Sequence, residues 1–437
     1  MLSRILQRVK TVGASSPFLR HILTLVTGTA VSQVVVFFMM MIITRLYGRE
    51  VLGELGTFNS IVAIAVTIAA GRYDMALMLE KDDRNAKVLA QLALRLIVLT
   101  SLACTIIAFP LQSVVASYYS PDVARWMPLA GLTTFFLAGA VLLQYWFNRR
   151  TDYKTIAMNR VQQQISATGG QIAFGAVGVN TLPGLVTGQI LGQASAFFNL
   201  GWRAKDLRRL DTTGSDSMSK LARKHWKMPV LNGPNALIDA LRLNGINLLI
   251  GRVSIGDFGE YNLANLVVNV PVSLINSAVS QVFFQKLSTI EPGFMLAEVK
   301  RSIVRAIAIG FVPFAALYIL SPWLFPLLFG SEWQQAGYFA QALIPWMLMT
   351  LITSPISNMF IVTGTQHLLL AFAVVYAAAP LGWLYFSNLP LLETVFWLGV
   401  LMAASLTLMT LMSLYAAWRF DRRGVRVTEG IDPNFVG

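Results

Sequence analysis

Charge is scarce in this chain. Asp, Glu, Lys and Arg make up 13% of its 437 residues while 55% are hydrophobic, and a water-soluble domain carries about 25% charged residues. So little charge cannot cover a soluble surface, which excludes a soluble enzyme, a disordered chain and a coiled coil. Cysteine is nearly absent. Cys104 stands alone in an apolar run, so there is no disulfide framework and no cysteine metal cluster. The three histidines, His21, His225 and His367, are far apart and form no HExxH spacing. No GxxxxGK[ST] segment supplies a phosphate loop for ATP. No long outward-facing loop is present to carry an acid/base pair, the largest being roughly 109–125 and 322–336, so no catalytic constellation is found and the chain is not read as an enzyme.

What is abundant is apolar sequence of membrane-spanning length. Runs fall at about 22–43, 55–79, 88–108, 126–147, 161–180, 182–201, 229–251, 258–285, 302–321, 336–361, 367–387 and 392–417. Twelve spans put both termini on one side, and the basic residues say which. With the N-terminus inside, 28 of the 34 Lys and Arg fall on the terminal side, and only Arg45, Arg49, Arg125 and Arg252 fall on the other. Arg95 and Arg242 lie within spans. This bias predicts cytoplasmic termini. It also accounts for the formal net charge of +13 without nucleic acid.

The longest polar stretch, 202–228, divides the spans six and six and reads as a basic cytoplasmic linker. The expected organisation is a cytoplasmic N-terminal segment at 1–21, an N-lobe at 22–201, the linker, a C-lobe at 229–417 and a cytoplasmic tail at 418–437. The halves echo each other. Span one ends Thr44-Arg45-Leu46-Tyr47-Gly48 and continues Val51-Leu52-Gly53-Glu54-Leu55, while span seven ends Gly251-Arg252 and continues Asp257-Phe258-Gly259-Glu260-Tyr261. Six spans per half make this a parallel repeat, a common plan for transporters with a substrate path between the halves.

Ionisable and amide side chains within spans are costly and face partners or water-filled cavities. On span seven Asn232, Asn235, Asp239 and Arg242 are spaced 3, 4 and 3, which confines them to an arc of ~80°. Span eight carries a second stripe, Asn262, Asn265, Asn269, Ser273, Asn276 and Ser280. A single Asn is read as helix glue and Asp239 with Arg242 as an i,i+3 pair; two full stripes are read as lining a hydrated cleft. Gly71-Arg72-Tyr73-Asp74 has two readings. Either one long helix carries Arg72 and Asp74 into the membrane, or span two stops at Gly71 and the charges form a loop. Arg95 is read as snorkelling to the interface. Gly184, Gly188 and Gly192 predict close packing of span six; Gln189 and Gln193 face either a cavity or a hydrogen-bonding partner.

The motifs Thr44-Arg45-Leu46-Tyr47-Gly48 with Gly53, Arg72-Tyr73-Asp74-Met75-Ala76-Leu77, and Gly251-Arg252 with Gly259-Glu260-Tyr261 resemble those of the oligosaccharide (O-antigen, Wzx-type) flippases of the multidrug/oligosaccharidyl-lipid/polysaccharide exporter superfamily. The resemblance covers roughly 20–420, and Asp74 stands where the family typically has Glu. It implies an all-α, twelve-helix, MATE-like V-shaped transporter of two six-helix lobes in a bacterial inner membrane. Its task would be alternating-access transfer of a polyprenyl-pyrophosphate-linked oligosaccharide to the outer leaflet for surface polysaccharide such as O-antigen of lipopolysaccharide, capsule or exopolysaccharide. Membrane lipids, and a polysaccharide polymerase or glycosyltransferase, are the implied partners; no cofactor is implied beyond proton or sodium coupling. On this reading Arg72 and Arg242 face the cleft, Asp74 and Asp239 hold them, Asn235 and Asn269 offer hydrogen bonds to sugar, and Arg45 and Arg252 sit at the outer rim. The competing reading is a cation-coupled drug or metabolite antiporter of the same superfamily, with Asp239 as the coupling carboxylate; span one has no carboxylate between His21 and Arg45. A non-transporting scaffold is opposed by the polar stripes.

Overall fold

The computed structural model describes residues 17–209, 212–287, 293–357, 359–363 and 365–429. Residues 1–16 of the expected N-terminal segment, Leu210 and Asp211 of the linker, and the tail after 429 lie outside the described residues, as do the side chains of Asn276 and Ser280. In hydrocarbon every backbone N–H and C=O must be satisfied within the chain, and helices do this segment by segment. Twelve long helices match the twelve apolar runs. They are α1 (Pro17–Leu46), α2 (Arg49–Ala69), α4 (Asp83–Tyr118), α6 (Leu129–Arg149), α7 (Tyr153–Ala176), α8 (Leu182–Arg203), α11 (Gly233–Val253), α12 (Ile255–Leu287), α13 (Met295–Phe329), α14 (Gln334–Ile356), α16 (Gln366–Phe386) and α17 (Leu391–Glu429). Short helices connect them: α3 (Tyr73–Ala76), α5 (Pro121–Trp126), α9 (Lys205–Arg209), α10 (Met218–Lys224) and α15 (Met359–Val362). Seven of the long helices are apolar and long enough to cross a bilayer by hydropathy alone. The other five, α7, α8, α11, α12 and α16, include the helices that carry the amide and glycine positions.

Helix starts follow local chemistry. Asp82, Asp152 and Ser217 each accept a hydrogen bond from a first-turn N–H of α4, α7 and α10. Span two is where the sequence left two readings, and the continuous helix fails. Helix α2 ends at Ala69, Gly71 and Arg72 take left-handed conformations with φ of 55° and 60°, and the one-turn α3 follows.

The described residues form two compact units divided after Asn262. In the first, α7 packs along α1 and α8, α6 lies against α4 and α8, and α2 touches α4, α6 and α11. The glycine ladder of α8 meets α7 as expected: Gly188 abuts the Gln171 backbone and Gly192 abuts Ala167. Tyr47, 1% exposed, donates to the Gln171 carbonyl at 2.8 Å and so ties the α1–α2 turn to α7. In the second unit α14 is flanked by α13 and α17. Asp421 near the end of α17 accepts from the N–H groups of Gly293, Met295 and Leu296 at 2.9–3.1 Å, capping α13.

Candidate functional site

The linker does not run free. Helix α10 and the residue after it dock on the turn that follows α3, where buried Glu80 receives Lys224 Nζ at 2.7 Å and His225 Nε2 at 3.2 Å. Burial raises the pKa of the Glu80 carboxyl, but the hydrogen bonds and charges of Lys224 and His225 outweigh it and hold the group below its ordinary value. Asn85 accepts from the Asp216 N–H at 2.8 Å, and Arg84 donates to the Thr213 carbonyl at 3.0 Å. Across the same end, Arg149 pairs with Asp83 and donates to the Glu80 and Lys81 carbonyls, while Arg150 bridges Asp83 and Asp206 at 2.9 and 3.2 Å. Arg95 reaches Met218 Sδ of α10 at 3.6 Å.

This docking carries the chain to the start of α11 beside Arg72. A π-helical turn, Met228–Asn232, precedes α11, with Pro229 inside it and Pro234 just beyond. Proline lacks the N–H that a regular turn would use, and a widened turn re-aims the side chains that follow. Here it presents Asn232 to Arg72, whose Nε donates to Asn232 Oδ1 at 2.9 Å; a second nitrogen meets Met75 Sδ at 2.8 Å. Arg72 holds a backbone conformation that costs a non-glycine residue about 1–2 kcal/mol. Such strain persists where surroundings over-determine it and collects at functional positions. Tyr73, from the next residue, donates to the Ala222 carbonyl of α10 at 3.2 Å.

The structure therefore joins the first charged cluster to the head of the span-seven stripe. Asn235 and Asp239 follow on α11, both exposed, and Asp239 pairs with Arg242 at 2.6 Å, as the i,i+3 spacing predicts. The acid side chain is 65% exposed and the guanidinium 11%, so the pair is open on its acidic side. Asp74 differs from the expectation. It is buried and its Oδ1 has no hydrogen-bond partner, whereas the bonds of Arg72 go to Asn232 and Met75. Asp74 lies two residues beyond Arg72, past the left-handed turn, and no hydrogen bond joins the two side chains among the described residues.

Asn269, in the second unit, donates to the carbonyl and Oδ1 of Asn265 at 2.9 and 2.7 Å, an i,i+4 step of its own helix. Arg45 and Arg252 are exposed at the end opposite the linker, and Arg252 stacks over Tyr118 at 4.8 Å. Gln189 finds a partner, Asn59 Oδ1 at 2.6 Å, while the buried Gln193 Oε1 has none.

At that opposite end the repeated Gly-Glu steps meet. A methyl added to Gly53 would overlap the Ile255 carbonyl oxygen, and one added to Gly259 would overlap the Arg49 carbonyl oxygen. Each glycine thus faces the residue four before the other, a reciprocal crossing. Beside it Arg49 donates to the fully buried Glu260 at 2.8 Å. Sequence reading found the repeat but not this pair; Arg49 follows directly on Gly48 of the motif, which was the available signal. It also missed Glu80, which stands in a turn without a motif.

A family model described as "Polysaccharide biosynthesis protein" matches residues 42–337. No curated protein matches the chain. Among solved structures, "Lipid II flippase MurJ, inward closed conformation" aligns with a TM-score of 0.71 at 12% identity over 94% of each chain. An inward-facing multidrug resistance MATE family transporter of the MOP superfamily aligns with a TM-score of 0.59 at 13% identity, over 92% of this chain and 96% of that one. An outward-facing transporter of that kind gives 0.58 at 15% identity, over 94% and 96%. At such identities the likeness is one of fold: this is a multi-pass membrane protein of the MATE-like transporter architecture.

Proposed function

The chain belongs to the polysaccharide biosynthesis protein family, and from that premise we propose that it is a flippase for a polyprenyl-pyrophosphate-linked oligosaccharide. It works by alternating access in a bacterial inner membrane, with the linker and both termini cytoplasmic on the Lys and Arg bias. The lipid tail of such a substrate stays in the bilayer, while the diphosphate and sugars need polar surroundings along the way. A bare diphosphate in hydrocarbon is prohibitive, and guanidinium groups offset its desolvation with charge-assisted, bidentate hydrogen bonds. The observation that carries the reading is the junction of Arg72 with Asn232, continued by exposed Asn235 and Asp239 and by Arg242 along one helix. Cations there meet the head group, and the exposed amide of Asn235 suits sugar hydroxyls. A glycosyltransferase or polymerase working on the same substrate is the natural neighbour.

One observation favours a cation-coupled drug or metabolite antiporter instead, the buried Asp74 with its unpartnered carboxylate oxygen. The two readings part in a strain that lacks the gene. Complementation with Arg72→Ala or Arg242→Ala is expected to leave lipid-linked oligosaccharide on the cytoplasmic face and to lower surface polysaccharide at least about tenfold, a loss of about 1.4 kcal/mol or more, with drug tolerance unchanged. Normal polysaccharide with reduced tolerance would overturn the flippase reading.

A further inference from the structure

The close of the sixth long helix repeats between the two halves of the chain. From the end of α8 the sequence reads Trp202-Arg203-Ala204-Lys205-Asp206-Leu207-Arg208-Arg209, and in α17 it reads Trp418-Arg419-Phe420-Asp421-Arg422-Arg423. Both run Trp-Arg, then Asp, then Arg-Arg. The backbones differ: α8 ends at Arg203 and the cluster continues through α9, whereas α17 runs on unbroken. Each backbone delivers the same pair. The Arg208 guanidinium lies 5.9 Å from the centre of the Trp202 ring and donates to the Trp202 carbonyl at 2.8 Å. The Arg422 guanidinium lies 4.0 Å from the centre of the Trp418 ring. Both stack within cation–π range. In each cluster the acid is turned to the protein. Asp206 accepts from Trp146 Nε1 and pairs with Arg150, both at 3.2 Å, and Asp421 caps α13. The Asp is spent as an anchor, and no carboxylate pairs with Arg208 or Arg422 among the described residues.

The two rings close exposed apolar stripes. Leu191, Phe198 and Trp202 follow one another along α8 at spacings of 7 and 4, and Leu408, Leu411, Tyr415 and Trp418 along α17 at 3, 4 and 3. Such spacings keep to one face of a helix. Trp202 is 71% exposed and Trp418 38%, while Leu200, Ala416 and Ala417 take the buried faces. In a bilayer each stripe meets acyl chains, and the ring that ends it belongs at headgroup depth, with the guanidinium just beyond. Further exposed cations stand beside each pair, Lys205 and Arg209 in one and Arg419 in the other. An apolar stripe ending in a stacked cation complements a molecule with both parts, an acidic phospholipid. Its chains lie on the stripe and its phosphate accepts from the guanidinium. A free anion would use the cation and leave the stripe unused.

We infer that Trp202 with Arg208, and Trp418 with Arg422, form two acidic-phospholipid sites, one in each unit, for lipid of the leaflet on the linker and tail side. This interaction surface is independent of what the protein carries across the membrane.

The test is equilibrium binding of radiolabelled phosphatidylglycerol and phosphatidylcholine to the purified full-length protein in neutral detergent. The unaltered protein is expected to prefer phosphatidylglycerol by about fivefold, the effect of one cation near an anionic headgroup. Arg208→Gln and Arg422→Gln are each expected to remove one site, and the double variant to bind both lipids alike. Arg208→Lys with Arg422→Lys keeps part of the preference, since it keeps the charge but not the planar stack. Trp202→Leu with Trp418→Leu keeps every cation and is expected to weaken phosphatidylglycerol binding; it decides the matter should the arginine variants fail to fold. Arg223→Gln removes an exposed linker charge outside the pairs and is expected to leave binding unchanged. Equal binding of the two lipids by the unaltered protein, or full preference in the folded double variants, would overturn the proposal. So would a loss in Arg223→Gln as large as in Arg208→Gln, which would mean undirected charge attraction, or displacement of the lipid by equimolar inorganic phosphate, which would mean a site for free anions.

Discussion

The two ends of the first unit are held by different physics. At the linker end, loops and short helices are joined by long cationic side chains on carboxylates and carbonyls: Lys224 and His225 on Glu80, Arg149 and Arg150 on Asp83. At the other end two helix starts approach until their backbones leave no room for a methyl, at Gly53 and Gly259, with one ion pair beside them. Side-chain bridges tolerate small displacements and answer to pH and salt. Backbone contact tolerates neither bulk nor displacement, but salt does not weaken it.

The largest expected effect breaks the rigid end. Gly53→Val or Gly259→Val forces the crossing apart, and overpacking of this kind costs about 3 kcal/mol. Thermal unfolding in detergent is expected to show a large fall in Tm that added salt does not alter; an unchanged Tm would mean that the two helix starts do not meet. Next comes Glu80→Gln at the bridged end. It leaves His225 buried with a weaker partner and Lys224 without its counter-charge, for a loss of roughly 1–2 kcal/mol, since Lys224 is half exposed. The sign with pH follows from the depressed pKa of Glu80. Its contribution is complete above the ordinary carboxylate range and disappears as pH falls through the lowered value. The gap between the protein and the variant should therefore be full near neutrality and close in acid; a gap constant with pH would contradict the ion-pair account. The smallest effect sharpens the comparison. Lys220→Ala removes an exposed i,i+4 bridge to Asp216 at 2.5 Å, and such pairs contribute roughly 0.3–0.5 kcal/mol. A Tm shift as large as that of Glu80→Gln would show that the clasp depends on the number of charges rather than on burial.

Much of this architecture was legible residue by residue. Each of the twelve apolar runs overlaps a long helix among the described residues, and for seven of these length and hydropathy alone suffice to span a bilayer. The i,i+3 spacing of Asp239 and Arg242 became an ion pair because helical geometry is local, and the glycine ladder of α8 packed closely for the same reason. The repeat of Gly53-Glu54 and Gly259-Glu260 was visible, but its meaning was not, since one glycine packs against the neighbourhood of another about two hundred positions away. Glu80 was illegible because its partners come from the linker. The break at Gly71 and Arg72 was one of two readings that composition leaves equal; the bonds to Asn232 and Met75, both outside the motif's own pattern of charges, stand with the broken one.

The sequence by itself determined where the long apolar helices run and which residues share the polar stripe on α11, because apolar length and a 3.6-residue period act within a segment. Only the tertiary structure decided which charges find partners, since ion pairs such as those of Glu80, Glu260 and Arg149 depend on distant segments arriving at one place.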